Sequence, residues 1–129
     1  MKLENQVCTI EQAKKLYKYG IIGSTYKWVK FEWEEDGEYK LMDIWTIDSE
    51  NYPAFTVAEL GLLIDWNHCT IVTPYKHHKS WQICFNKDDF ESEYEAVARC
   101  EALLFMLKKK LVSVEEVNKK LLQKDIELI

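Results

Sequence analysis

Four times along this chain a hydroxyl side chain is followed three positions later by glutamine or glutamate: Thr9 with Gln12, Thr56 with Glu59, Ser92 with Glu95, and Ser113 with Glu116. At that spacing the hydroxyl accepts a bond from the amide three residues on. The longer side chain then bonds back to the amide of the cap itself, so two donors left open at a helix start are satisfied together. The pattern predicts four helix starts. Three are reinforced by an apolar residue before the cap and another at the fourth helical position, namely Cys8 with Ala13, Phe55 with Leu60, and Val112 with Val117.

The first helix is expected over residues 10–19, with Ile10, Ala13, Leu16 and Tyr17 on one face and Gly20 ending it in a left-handed conformation. The second is expected over residues 57–64, weakened by Gly61 inside it. The third, over residues 93–110, places Ala96, Cys100, Leu103, Leu104, Leu107 and Leu111 on a broad stripe and is expected at the centre of the fold. The fourth begins near residue 114 and runs to 122 or slightly further, with Val114, Val117, Leu121 and Leu122 on its apolar face.

Strand evidence is best in WVKFEWEEDGEYKLMDIWTI, residues 28–47, where Asp36 and Gly37 suit a two-residue hairpin turn. That turn would set Val29, Phe31 and Trp33 against Ile44, Met42 and Lys40 on a helix-covered side. The other side would then pair Trp28 with Trp45, Lys30 with Asp43, Glu32 with Leu41, and Glu34 with Tyr39. A second hairpin would join residues 69–75 to 81–86 across a KHHKS loop, with Pro74 pointing to a sheet edge. The reading is an α+β single domain spanning residues 1–129. It has a four-stranded, mostly antiparallel sheet of two hairpins packed against helices, in the order α-ββ-α-ββ-α-α. The two halves share little beyond that order, so an internal duplication is disfavoured.

At 129 residues, 47% apolar and 30% charged, the chain is long enough for one core and has ordinary globular composition. The opening MKLENQVCTIEQ lacks the apolar run of a signal peptide, and no later run approaches a bilayer span, so neither export nor membrane insertion is expected. Cys8, Cys69, Cys84 and Cys100 are scattered without a CxxC pair, which predicts reduced thiols in a cytoplasmic setting. The net charge of −5 is segregated: residues 28–65 carry ten acids against two lysines, while residues 1–27 carry five lysines against two acids. An acidic middle argues against general nucleic-acid binding, which needs a basic face to displace counterions.

Chemistry-bearing motifs are sparse. The four glycines, Gly20, Gly23, Gly37 and Gly61, form no phosphate-cradling loop. His68, Cys69, His77 and His78 are the one histidine and cysteine concentration, but their spacing is not that of a zinc site, and no metal or cofactor is expected. Asp88, Asp89 and Glu91 precede the third helix, where acids favour its positive end. An enzymatic alternative combines Cys69 or Cys84 with a histidine and Asp65, and requires those groups to converge. In that alternative Trp66, Tyr75 and Trp81 flank the basic loop, so Trp66, His68, Tyr75, His77 and His78 would line a groove for an anionic or planar ligand.

The five tryptophans, seven tyrosines and five phenylalanines are an excess for this length. Trp28 and Trp45 are either exposed interface anchors or core, depending on whether a helix covers their side of the first hairpin. The segments CTIEQAKKLYKYG, YPAFTVAELG and EYEAVARCEALLFMLKKKLVSVEEVNKKL resemble small uncharacterised proteins of phages and mobile elements from Bacteroidetes-type gut bacteria. The resemblance spans most of the chain and brings no activity or catalytic residue with it; it implies an accessory factor acting on host or phage proteins. The expected function is thus a non-enzymatic protein-interaction module, contacting its partner through Trp28, Glu32, Glu34, Glu38 and Trp45. A homodimeric structural protein is a third reading.

Overall fold

A computed structural model describes residues 2–31, 37–43, 49–74, 77, 79–85 and 87–127. After a single 3-10 turn at Leu3–Asn5, the order is α1 (Ile10–Lys18), β1 (Tyr26–Phe31), β2 (Lys40–Met42), β3 (Ser49–Ala54) and α2 (Val57–Leu63). There follow β4 (Thr70–Val72), β5 (Trp81–Cys84), β6 (Asp89–Ser92), α3 (Glu95–Lys108) and α4 (Val114–Glu127). The class is α+β, but the strands form two separate three-stranded antiparallel sheets, ordered β2-β1-β3 and β4-β5-β6, in place of one four-stranded sheet.

Two unforeseen strands account for that difference. β3 contains Pro53, which cannot donate to a ladder and so reads as a loop in sequence. It occupies the edge position where such a residue is tolerated, aligned with β1 over six pairs from Tyr26 opposite Ala54 to Phe31 opposite Ser49. β6 takes up Asp89 and Ser92, which sequence spacing assigns to a helix entry. Ser92 caps nothing in α3: its Oγ accepts from the Tyr94 amide at 3.1 Å, and the helix starts at Glu95 behind Tyr94, whose side chain makes no cap bond. Asp89 lies opposite Cys84 and the Asp88 carbonyl accepts from the Phe85 amide, so these acids belong to the β5–β6 hairpin, and the acid in the first turn of α3 is Glu95.

The first hairpin is real, with a register different from that implied by the Asp-Gly step. Trp28 stands opposite Leu41 on β2 and Tyr52 on β3, while Lys30 faces Glu50 where Asp43 was expected. β2 supplies three pairs and β3 six, so the alignment of the central strand is dominated by a partner that the turn signal does not reveal. Both sides of β1 are enclosed at this level. Trp28 and Tyr52 pack against the main core cluster, and the Trp28 indole N–H donates to the Cys8 carbonyl at 2.9 Å. Val29, on the opposite side of the strand, is fully buried as well. The large aromatic body with a satisfied N–H thus wins the position beneath α1.

The other three helix starts follow the caps closely. Thr9 and Thr56 both form complete capping boxes with Gln12 and Glu59, and Ser113 Oγ accepts from the Glu116 amide at 3.1 Å. α1 ends on Gly20 at φ 88°, with Gly20 N–H bonding Tyr17 O and Ile21 N–H bonding Leu16 O. α3 ends the same way with Lys110 in the left-handed position at φ 59°. α3 is the central element: Ala96, Ala98, Cys100, Ala102, Leu103, Leu104, Met106 and Leu107 are buried around most of its circumference, against α1, α2, β5 and β6. Leu111 and Leu122, expected on apolar faces, are exposed.

Gly61, which weakens α2 in isolation, has a packing reason. A Cβ there would collide with Nη1 of Arg99, whose guanidinium lies across α2, ion-pairs with Glu95 and stacks 5.2 Å from the Trp66 ring. Among the described residues no helix is long and apolar enough to cross a membrane.

Candidate binding grooves

The first hairpin meets the amino-terminal segment in a groove of about 440 Å³ lined by Glu4, Thr9, Ile10, Glu11, Trp28, Glu38 and Tyr39. Each wall has a separate origin: Glu4 from the 3-10 turn, Glu11 from the first turn of α1, and Glu38 and Tyr39 from the connection leading into β2. Trp28 forms part of the apolar lining, with its indole N–H anchored on Cys8. Two of the residues expected to contact a partner, Trp28 and Glu38, are therefore brought together, and Glu4 and Glu11 join them from segments that sequence spacing does not connect. Glu32, Glu34 and Trp45 lie outside the described residues.

Tyr39 is held firmly. Its hydroxyl donates to Glu50 Oε2 at 2.7 Å, its ring lies 6.0 Å from that of Tyr52, and the ammonium groups of Lys14 and Lys30 stand 5.1 and 5.9 Å from its centroid. Desolvation, followed by the bond to the Glu50 carboxylate, pushes its phenol up to about 12. On the far side of Tyr52, a second groove of about 520 Å³ is lined by Tyr17, Ile22, Lys27, Glu50, Asn51, Tyr52 and Pro53, and its wall is braced by the edge-on contact of Tyr17 with Tyr52 at 5.4 Å.

A third groove, also about 520 Å³, escaped the sequence reading altogether. Lys15, Lys18 and Tyr19 from the end of α1 face Glu101, Leu104, Phe105 and Lys108 of α3, with Phe90 of β6 at the base. Phe85, Phe90 and Phe105 form a mutually packed aromatic trio with centroids 4.9 to 5.9 Å apart. Lys15 and Lys18 lie in the last turn of α1 and Lys108 in the last turn of α3, where a cation already suits the carboxyl end of a helix on local grounds.

The residues proposed for the enzymatic alternative build a turn. Asp65 Oδ1 accepts from the Asn67 amide at 3.0 Å, its carbonyl accepts from the His68 amide at 3.1 Å, and its Oδ2 lies 3.4 Å from His68 Nε2. Trp66 donates its indole N–H to the Gly61 carbonyl at 2.9 Å, which satisfies an acceptor left open near the end of α2. Trp81 packs half-buried against the core, and His77 is exposed; Tyr75 and His78 lie outside the described residues. None of the three grooves is lined by His68, Cys69 or His77.

The thiols are also poorly suited to nucleophilic work. Burial, reinforced by Asp65 and Cys84, pushes Cys69 up to about 11, and desolvation likewise raises Cys84. Cys100, fully enclosed beside Cys8, is likewise raised by burial. All four cysteines are free, and no group of three potential metal ligands occurs among the described residues. Compared with protein families, with curated proteins and with solved structures, the chain shows no match.

Proposed function

We propose that the chain is a non-enzymatic protein-interaction module, an accessory factor of the phage-related kind, that engages a basic segment of a partner protein through the groove over Trp28. The observation that supports this reading is the convergence of Glu4, Glu11 and Glu38 around an apolar lining of Ile10, Trp28 and Tyr39. Carboxylates at the rim steer and orient a cationic partner, while a largely buried tryptophan provides a preformed apolar contact at low ordering cost. Glu32, Glu34 and Trp45, named with Trp28 and Glu38 as contact residues from the sequence, lie outside the described residues.

Tryptophan fluorescence and titration calorimetry test this with a short Lys/Arg-rich peptide carrying one aliphatic anchor, against a counterpart in which the basic residues are glutamate. Saturable binding of the basic peptide alone is expected. Combining Glu11→Lys with Glu38→Lys should weaken it by about tenfold or more, since about 1.4 kcal/mol corresponds to each factor of ten. Equal binding of both peptides, or affinity unchanged by the reversals, would remove the groove from the proposal.

A further inference from the structure

The groove between α1 and α3 has the opposite electrostatic character, and its occupant is a different kind of molecule. Lys15, Lys18 and Lys108 line it, and none of the three has an ion-pair partner among the described residues. Other lysines of the fold are engaged: Lys14 and Lys30 lie against tyrosine rings, and Lys109 lies 6.0 Å from the Phe105 centroid. Three ammonium groups around one concavity attract a multiply charged anion.

The lining is apolar and aromatic. Leu104 is buried, and Phe90 and Phe105 are half-buried with their rings 5.3 Å apart and tilted by 53°. Their packing against Phe85 restrains both rings, while Tyr19, 39% exposed, forms another part of the wall. Such a surface accepts a planar ring by stacking or edge contact. The volume of about 520 Å³ falls within the range of small-molecule sites.

Glu101 adds the remaining selectivity. Its Oε1 accepts from Gln12 Nε2 at 2.8 Å, and Gln12 is itself fixed by its capping box and by a bond to the Val97 carbonyl. A carboxylate has further acceptor sites, so Glu101 keeps capacity for an N–H donor on a ligand. A bare phosphate would leave that capacity and the aromatic lining unused.

We propose that this groove binds a nucleoside phosphate with an amino-bearing base, the ring lying on Phe90 and Phe105, the amine on Glu101 and the phosphates among Lys15, Lys18 and Lys108. No glycine-rich loop is needed, because the anion is held by side-chain ammonium groups in place of backbone amides.

Titration calorimetry of the full chain with ADP, IDP, adenosine and pyrophosphate tests the assignment. ADP should saturate one site. Adenosine, pyrophosphate and IDP should each bind about tenfold more weakly or worse, since IDP presents a ring carbonyl to Glu101 where ADP presents an amine. Lys18→Glu combined with Lys108→Glu, both on exposed side chains, should weaken ADP by at least about tenfold with an unchanged unfolding midpoint. Pyrophosphate or adenosine matching ADP would reduce the site to an anion or an aromatic contact and overturn the proposal, as would IDP matching ADP. Failure of ADP to saturate, or equal ADP affinity in the double variant, would overturn it as well. Glu11→Lys with Glu38→Lys should leave ADP binding unaltered, so this result stands apart from that for the acidic groove.

Discussion

The capping boxes of α1 and α2 are locally the same device and globally two different ones. In both, a threonine hydroxyl accepts from the amide three residues on, at 3.2 Å, and the third helical residue bonds back to the threonine amide at 3.0 Å. In both, that third residue is 4% exposed, so it is enclosed by more than its own helix. Gln12 turns its amide nitrogen outward as a donor, to the Val97 carbonyl at 3.0 Å and Glu101 at 2.8 Å, which ties α1 to α3. Glu59 turns a second carboxylate oxygen outward as an acceptor, from the Thr25 amide at 3.1 Å, which ties α2 to the approach to β1. Either glutamine or glutamate closes a box in isolation. Here the choice is dictated by whether the tertiary neighbour donates or accepts.

Exchanging the two chemistries should produce the largest effect. Gln12→Glu keeps the return bond to Thr9 but aims a carboxylate at the Val97 carbonyl and the Glu101 carboxylate, with no donor between them. Leaving a buried charge without its partner costs about 3–5 kcal/mol. Thermal denaturation at neutral pH should show a midpoint lowered by roughly ten degrees or more, given about 2–8 °C per kcal/mol for domains bracketing this size. The loss should shrink on acidification, because protonation of the introduced carboxyl restores a donor. A midpoint unchanged at neutral pH would show that the bonds to α3 contribute nothing.

The reverse exchange, Glu59→Gln, should be milder. Each carboxylate oxygen now serves one threonine: Oε1 accepts from Thr56 and Oε2 from Thr25. An amide offers one oxygen, so one backbone N–H must face an N–H₂ group. A buried donor left unmatched costs about 1–3 kcal/mol. Urea denaturation should give a lower midpoint with an unchanged slope, and hydrogen exchange should accelerate at the Thr25 or the Thr56 amide, whichever the amide oxygen abandons. Equal protection at both would mean that the box and the tertiary bond are not competing for the same side chain.

What was legible in the sequence follows from this comparison. A box consists of contacts within four residues, so the starts of α1, α2 and α4 could be read directly from Thr9, Thr56 and Ser113. The same pattern at Ser92 misled, because the strand pairing of β6 with β5 claims Ser92 before a helix can begin. Pairing is a long-range choice: Pro53 hid an edge strand, and without β3 the Asp-Gly step pointed to the wrong register for Trp28. The grooves were less legible still. Trp28 and Glu38 were assigned to one contact surface but not as neighbours, and Glu4 and Glu11 join them from the 3-10 turn and from α1. Lys15, Lys18 and Lys108 meet only because Gln12 and the core hold α1 against α3.

Ser113 offers the control in which the local device has no tertiary extension. Its hydroxyl accepts from the Glu116 amide at 3.1 Å, but among the described residues the return bond from the Glu116 side chain is not formed, and both residues are exposed. Ser113→Ala therefore removes a single solvent-facing cap and should cost about 0.5–1 kcal/mol, the low end for such substitutions. Thermal denaturation should show a shift of only a few degrees. If Ser113→Ala instead destabilised the protein as much as Gln12→Glu, the energy of a cap would lie in the helix start itself, and the distinction between a local box and a tertiary clamp would lose its basis. A small effect here beside a large one at Gln12 would place the difference in the bonds to Val97 and Glu101.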